Sequence, residues 1–114
     1  MVEKTLIGVT EKIIIIGKEK EKKLIARIDT GATRSSVDEK LASELKLGPT
    51  TGTKLVKSAH GSRIRPVVNC EVILAERKLK GEFTLADRSH MMYQILIGRD
   101  ILTKGFLIDP NKNV

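Results

Sequence analysis

The apolar residues of this chain come in short aliphatic and β-branched runs, and glycine, proline or charged residues separate one run from the next. A helical domain would instead repeat apolar residues every three or four positions over longer stretches, so the pattern favours a mostly β domain. We expect strands at residues 5–9, 12–17, 24–28, 35–37, 53–58, 62–67, 68–74, 79–85, 95–97 and 106–108. The last of these is expected to close the sheet.

The segments between the strands contain the predicted turns and helices. Turns are expected at the fully charged residues 18–23, at residues 59–61 with their glycine, and at residues 75–78. Asp38 is placed to cap a short helix over residues 39–45, because a side-chain oxygen at that position can accept the first free backbone N–H groups. Asp100 begins a further one or two helical turns.

The length of 114 residues suits one compact domain, and we expect residues 1–114 to form a single unit. The formal net charge of +7 is uneven, because the segment between residues 45 and 70 has five basic residues and no acidic one. Stacking on single-stranded bases needs aromatic side chains, and all three aromatic residues lie outside that segment. A β-barrel that binds nucleic acid through residues 46–65 is therefore a weaker alternative, and no nucleic acid is expected as partner.

Cys70 is the only cysteine, which excludes an internal disulfide and a zinc site built from several cysteines. Residues 1–12 lack the apolar stretch of a signal peptide, and the purest apolar run, residues 13–16, is far too short to cross a bilayer. We therefore expect a cytoplasmic protein without a membrane partner.

The sharpest local signal is Asp29, which follows a predicted apolar strand and is succeeded at once by Thr30 and Gly31. A strand end presents a carboxylate from a rigid element, a threonine hydroxyl can lock a turn, and glycine permits close approach. Asp-Thr-Gly is also an ordinary turn sequence. The segment alone leaves a structural turn and a catalytic acid as equal alternatives.

A second segment, residues 95–102, has an aliphatic run, a glycine, an arginine and a short predicted helix. With the central hairpin, this order resembles the retroviral-type aspartic proteases. The chain is more closely similar to the retropepsin-like aspartic protease family of bacteria and archaea, often labelled ATP-dependent zinc proteases, some of which occur beside enzymes that add glutamate to a ribosomal protein. The motifs that carry this resemblance are residues 29–32, 58–61, 65–68, 85–89 and 96–99.

The resemblance implies an aspartic-type endopeptidase with a closed β-barrel of the acid-protease fold and one or two short helices. The implied site residues are the catalytic Asp29; the supporting loop residues Thr30, Gly31 and Ala32; the flap residues Ser58, His60 and Gly61; and the loop-bracing residues Gly98 and Arg99. In the retroviral enzymes an acidic residue follows D-T-G-A and pairs with the arginine. Thr33 stands there in this chain, which leaves the partner of Arg99 open.

Aspartic proteases need two carboxylates that share one proton, so that one acts as a base and the other as an acid. The chain has one Asp-Thr-Gly, and its other aspartates lack the Thr-Gly turn. The second carboxylate must then come from another copy, which predicts a homodimer with both Asp29 side chains on the two-fold axis. A non-catalytic dimeric module that binds a peptide in the same groove is the alternative.

The positive charge of the central segment indicates a substrate preference. Arg34 beside the cleft, together with Arg63 and Arg65 on the hairpin, would favour an acidic peptide or protein through charge complementarity. An ordinary solvated basic hairpin of a lysine-rich protein explains the same residues equally well.

We expect no metal and no other cofactor. His60 and His90 are thirty positions apart, and the chain has neither an H-E-x-x-H motif nor a glycine-rich phosphate loop ending in Gly-Lys-Ser/Thr. Both histidines are interpreted as surface residues.

Overall fold

The structure, a computed structural model, describes residues 3–114, apart from the side chain of Ser58. In this part of the chain it has nine strands and two short helices. The strands are β1 (Thr5–Ile7), β2 (Thr10–Ile16), β3 (Glu21–Ile28), β4 (Ser35–Asp38), β5 (Gly52–Ser58), β6 (Gly61–Leu74), β7 (Arg77–Ala86), β8 (Ile95–Ile97) and β9 (Phe106–Ile108). The helices are α1 (Glu39–Glu44) and α2 (Arg99–Leu102). The expected mostly β architecture is confirmed.

Six of the strands close into a barrel. Their order is β2-β3-β8-β4-β7-β6, and β2 also pairs with β6, so the ring returns to its first strand. β5 pairs with β6 and extends the sheet outside the ring as one arm of a hairpin. Each strand of the ring therefore pairs with two ring neighbours, although β8 covers β3 only at Arg27 and Ile28.

Alternate side chains of the strands fill the barrel. On β2, Ile13 and Ile15 are buried, whereas Ile14 between them is partly exposed, as the two-residue period of a strand requires. Ile13 lies opposite Leu74 of β6 and Ile15 lies opposite Val72, and both of these partners are also buried. The pairing that closes the ring therefore also builds the core.

Helix α1 begins at the predicted cap. The Asp38 carboxylate accepts the Leu41 N–H at 3.3 Å, and Leu41 and Leu45 pack into the core. The cap prediction is confirmed, and the helix ends one residue earlier than expected, with Leu45 as its C-terminal cap. Neither helix within residues 3–114 is long and apolar enough to span a membrane.

Two predicted turns are shorter in the structure. The charged turn at residues 18–23 ends early, because β3 already begins at Glu21 and continues its pairing with β2. The turn at residues 75–78 consists of Ala75 and Glu76 alone, which have φ angles of 51° and 66°. Two successive positive φ angles give a tight hairpin turn, so β7 starts directly after them.

The prediction that the last strand closes the sheet is wrong. β9 pairs in parallel with β1, and the two strands form a separate two-stranded sheet in which Leu6 lies beside Leu107. β2 and β6 close the ring without β9. Leu6 and Leu107 are 53% and 52% exposed, so this small sheet presents apolar side chains at the surface.

Candidate active site

Asp29 lies directly after β3. Its N–H donates to the Ile97 carbonyl of β8 at 2.9 Å, so the neighbouring strand holds the start of the loop. Oδ1 accepts the Gly31 N–H at 2.9 Å, Oδ2 lies 3.9 Å from Arg27 Nε, and 30% of the side chain is exposed. The carboxylate is thus held in one orientation and remains reachable from solvent, as a general acid or base must be.

The loop after Asp29 is braced by Arg99, the first residue of α2. Its Nη1 donates to the Thr30 carbonyl at 2.9 Å, and its Nη2 donates to the Thr33 hydroxyl at 3.0 Å. The Arg99 N–H donates to the Ala32 carbonyl at 2.8 Å. Thr33 is therefore the partner that the sequence left open, and a neutral hydroxyl takes the place of the retroviral acid.

Gly98 lets α2 approach this loop closely. A Cβ at this position would lie 2.6 Å from the Arg34 carbonyl oxygen and 2.9 Å from the Ala32 carbonyl oxygen. Both oxygens belong to backbone, which cannot swing aside as the end of a flexible side chain can, so a side chain here would displace the helix from the loop. The φ of Gly98 is −101°, an ordinary value, and the requirement is therefore one of space.

A polar pair, the buried Ser35 and the partly buried Asp100, joins β4 to α2 and was absent from the predicted site. Ser35 Oγ donates to Asp100 Oδ1 at 2.7 Å, and the Ser35 N–H donates to Asp100 Oδ2 at 3.2 Å. The same Oγ accepts the Gly98 N–H at 3.0 Å. Ser35 is fully buried, so these bonds replace the water contacts that its polar groups lose on folding.

A cavity of about 530 Å³ lies between the loop that follows Asp29 and the β5–β6 hairpin. Loop residues 31–34 line one side, and Leu55, Val56 and Lys57 of β5 line another. Two other cavities of similar size are lined by no residue of this loop. A concave surface beside a partly exposed acid is where a ligand is expected to bind.

The hairpin that lines this cavity turns at Ala59 and His60. Ser58 pairs with Gly61 across the turn, and Gly61 has a φ of 113°, which favours glycine. The predicted flap residues thus lie at the end of a two-stranded arm outside the barrel ring.

Two of the three arginines predicted to select substrate charge line the cavity. Arg34 belongs to the loop and Arg65 to β6, and Lys57 adds a further cation. Arg63 is exposed on β6 opposite Val56 and is not one of the residues that line the cavity.

Arg88 lines the same cavity and had no role among the predicted site residues. It is buried, with its N–H donating to Asp38 Oδ1 and its Nε donating to the Tyr93 carbonyl, both at 2.8 Å. Burial lowers the pKa of the Arg88 guanidinium. The negative charge of Asp38 opposes this shift, the positive charge of Arg27 adds to it, and the negative charge of Asp29 opposes it more weakly. The signal in the sequence was the place of Arg88 in the motif of residues 85–89, which reveals neither its burial nor its partners.

Two further aspartates are engaged in turns of their own. Asp87 Oδ1 accepts the Ser89 hydroxyl at 2.6 Å and the Ser89 N–H at 3.0 Å, and these bonds lower the pKa of Asp87. Asp109 Oδ1 accepts the Asn111 N–H at 2.9 Å. Both carboxylates stabilise local backbone, as short polar side chains do in turns.

The two histidines, His60 and His90, are exposed, as expected. Within residues 3–114, no three His, Cys, Asp or Glu side chains lie close enough together to hold a metal ion.

Comparison with protein families matches residues 39–114 to the RimB-like model, described as retropepsin-like aspartic endopeptidase RimB. The matched range includes Arg88 and Arg99 and begins after the Asp29 loop. The position of Asp29 is therefore known from the structure and not from the family match. No curated protein matches the chain significantly.

Solved structures with a similar fold come from bacteria and viruses. A Legionella pneumophila protein of unknown function is 20% identical, with a TM-score of 0.66, and the match covers 96% of this chain and 95% of that one. The EIAV protease complexed with the inhibitor HBY-793 is 22% identical, with a TM-score of 0.67 and coverage of 82% and 84%. The protease of Simian Foamy Virus (mac) is 27% identical, with a TM-score of 0.60 and coverage of 86% and 99%.

These comparisons agree with the barrel described above. The closed β-barrel with two short helices has the retropepsin-like fold expected from the sequence motifs. The family match covers well over half of the chain and includes α1, the hairpin and the Gly98-Arg99 segment. The chain belongs to the RimB-like family of retropepsin-like aspartic endopeptidases.

Proposed function

We propose that this protein hydrolyses peptide bonds as a homodimer, with one Asp29 carboxylate contributed by each copy. The observation that carries the proposal is a partly exposed Asp29 on a loop braced by Arg99, next to a cavity that a hairpin lines. The retropepsin-like family and fold support the same chemistry. Each chain has one such loop, so a catalytic pair requires two chains.

In the proposed reaction the two Asp29 side chains share one proton and hold a water molecule. The ionised carboxylate takes a proton from this water while the water oxygen bonds to the scissile carbonyl carbon, and the protonated carboxyl group of the other copy donates its proton to the carbonyl oxygen. The tetrahedral intermediate then returns a proton to one carboxylate, the C–N bond breaks, and the leaving nitrogen takes a proton from the other. The products are a free carboxyl and a free amino group, and the pair again holds one proton. Since the proton is shared, neither copy has a protonation state of its own.

The small β1–β9 sheet is the surface we propose for the dimer contact. Leu6 and Leu107 lie side by side on it and are more than half exposed. Covering apolar surface contributes roughly 25 cal/mol per Å², which matters for a domain with a core of this size. A second copy placed there would remove the exposed leucine side chains of this sheet from water.

The proposal also gives roles to the neighbouring groups. We propose that Thr30 braces the two loops across the interface and that Gly31, whose N–H is used by Asp29, contacts the substrate through its carbonyl. Ala32 supports the loop by accepting the Arg99 N–H. The β5–β6 hairpin, with Ser58, His60 and Gly61 at its end, acts as a flap that closes over the peptide and excludes water.

We further propose a preference for acidic substrates. Among the described residues, four basic side chains (Arg34, Lys57, Arg65 and Arg88) and one acidic side chain (Asp87) line the cavity. Charge complementarity then favours a negatively charged peptide in the cleft. Equal cleavage of neutral and poly-acidic peptides at low salt would contradict this preference.

The test is cleavage of fluorogenic peptides by the wild-type chain and by Asp29→Asn, which keeps the size of the side chain. We expect Asp29→Asn to give no cleavage above background, with an unchanged thermal unfolding midpoint and an unchanged solution mass of two chains. Asp109→Asn is the matched control, because Asp109 makes the same contact to the N–H two residues on, also at 2.9 Å, outside the cavity. This control should retain activity.

Three outcomes would overturn parts of the proposal. Hydrolysis by Asp29→Asn would remove Asp29 from the chemistry. A monomeric, active wild-type chain would remove the shared carboxylate pair. A dimer that binds peptides without cleaving them would support the non-catalytic binding module instead.

A further inference from the structure

Arg88 is a buried arginine without an ion pair. It is 9% exposed, and within the described chain no carboxylate oxygen lies within 4.0 Å of its guanidinium nitrogens. Taking a cation out of water is costly unless hydrogen bonds and a counter-charge compensate it. Its Nε has a partner in the Tyr93 carbonyl, whereas the rest of the guanidinium needs another explanation.

The two Nη groups of Arg88 keep access to open space. Neither makes a hydrogen bond to a described residue, since Nε and the backbone N–H account for the bonds that Arg88 donates. Among the described side chains, no sealed nitrogen or oxygen lacks a hydrogen-bond partner. Both Nη groups must therefore have accessible surface, and Arg88 is one of the residues that line the cavity.

Asp38 does not supply the missing partner. Its Oδ1 accepts the Arg88 backbone N–H at 2.8 Å and its Oδ2 accepts the Leu41 N–H at 3.3 Å, so both oxygens are used by backbone donors. Asp38 and, more weakly, Asp29 act on the guanidinium through space. Two donor groups thus remain without a partner among the described residues.

The walls around Arg88 suit a side chain with an apolar stem and a charged end. Leu55, Met91 and Leu96 line the same cavity and can contact methylene groups. A guanidinium with two free donor groups matches the two oxygens of a carboxylate in number and geometry, which an ammonium group does not.

We propose that Arg88 is a specificity-determining residue whose Nη groups bind the side-chain carboxylate of an acidic substrate residue in this cavity. The inference rests on the proposed function, because it places the substrate in the cleft beside Asp29. It also gives the basic side chains of the cavity two different roles. Arg34, Lys57 and Arg65 attract an acidic peptide at a distance, and Arg88 recognises one carboxylate at close range.

The test measures peptide binding in an Asp29→Asn background, so that hydrolysis does not interfere. A set of acidic peptides, each with one glutamate replaced by glutamine, is titrated against this protein. At one position the glutamate peptide should bind at least about tenfold more tightly than its glutamine counterpart, as a charge-assisted bidentate pair predicts. Because a buried pair is screened less than surface charges, this ratio should persist in about 0.5 M NaCl while overall affinity falls.

Variants then assign the preference to Arg88. Arg88→Gln should abolish the glutamate preference at that position, and Arg88→Lys should retain only part of it, because lysine keeps the charge without the paired donors. Lys78→Gln removes an equal charge from an exposed residue outside the cavity and should leave the ratio unchanged. If Arg88→Gln fails to fold, Arg88→Lys and the peptide set still decide the result.

The outcomes separate this inference from the proposed function. A salt-resistant glutamate preference that depends on Arg88, in a protein whose wild type cleaves nothing, would support the inference and reject the peptidase. Cleavage by the wild type with equal affinity for glutamate and glutamine peptides at every position would overturn the inference alone.

Discussion

Replacing Ser35 by alanine is expected to weaken the connection between β4 and α2 that supports the Asp29 loop. Ser35 Oγ donates to Asp100 Oδ1 at 2.7 Å and accepts the Gly98 N–H at 3.0 Å. The substitution removes both bonds and adds no atom that could clash. The bond from the Ser35 N–H to Asp100 Oδ2 stays, because it belongs to the backbone.

The magnitude follows from the groups that the substitution leaves behind. The buried Gly98 N–H would lose its partner, which costs about 1–3 kcal/mol. Asp100 would lose one bond to a charged acceptor, worth about 1.5 kcal/mol here, since it keeps bonds from the Ser35 and Ile101 N–H groups. We expect the free energy of unfolding to fall by about 3 kcal/mol, a large part of the total stability of a small domain.

Urea denaturation followed by far-ultraviolet circular dichroism measures this change, because the chain has no tryptophan. All proteins are compared at one concentration, since dimer stability depends on it. Ser36→Ala is the matched control: Ser36 is the next residue of β4, is partly exposed and has no hydrogen-bond partner for its hydroxyl among the described residues. It should change stability by less than about 0.5 kcal/mol. A similar small change for Ser35→Ala would refute the argument that this hydroxyl supports the loop.

Two further substitutions test close approach and burial. Gly98→Ala should lower the free energy of unfolding, measured by urea denaturation, by about 1–3 kcal/mol, because the new Cβ would lie 2.6 Å from the Arg34 carbonyl oxygen. Gly52→Ala is the control, because its Cβ meets nothing within 4 Å. Equal losses of stability in the two variants would reject the steric explanation. Burial raises the pKa of the Cys70 thiol from 9.0 to about 12, so the unfolded chain loses this proton first as the pH rises. The contribution of the Cys70 thiol to the free energy of unfolding should therefore be fully present below pH 9 and fall by about 1.4 kcal/mol per pH unit between pH 9 and 12. Cys70→Ala should lack this part of the pH dependence. Identical slopes for both proteins in urea denaturation across this range would contradict the shift.

Most strands could be predicted because their signals are local. Side chains alternate between the two faces of a strand, so the burial of Ile13 and Ile15 follows from their spacing once one face meets the core. The Asp38 cap and the turn at Ala59 and His60 depend on residues next to one another in the chain. Strand ends were less predictable, because Glu21 joins β3 through pairing with β2, a contact that charge alone does not reveal.

The partner of β9 could not be predicted from its own residues. The run Phe106–Ile108 would fit either the barrel or a separate sheet, since its apolar side chains suit both. The choice depends on which strands pair to close the barrel, and β2 pairs with β6 so that the ring closes without β9.

The candidate site divides in the same way. Asp29-Thr30-Gly31 and Gly98-Arg99 are visible in the sequence because each is a short segment whose residue types suit a tight, braced turn. The Arg99–Thr30 bond, the Ser35–Asp100 pair and the Arg88–Asp38 contact join residues that are 69, 65 and 50 positions apart. Residue type states what a side chain can bond to, whereas its partner and its burial depend on which strands the closed barrel brings together. For this reason Arg88 lay within a recognised motif, residues 85–89, without an assigned role, and only the folded chain makes it a cavity residue.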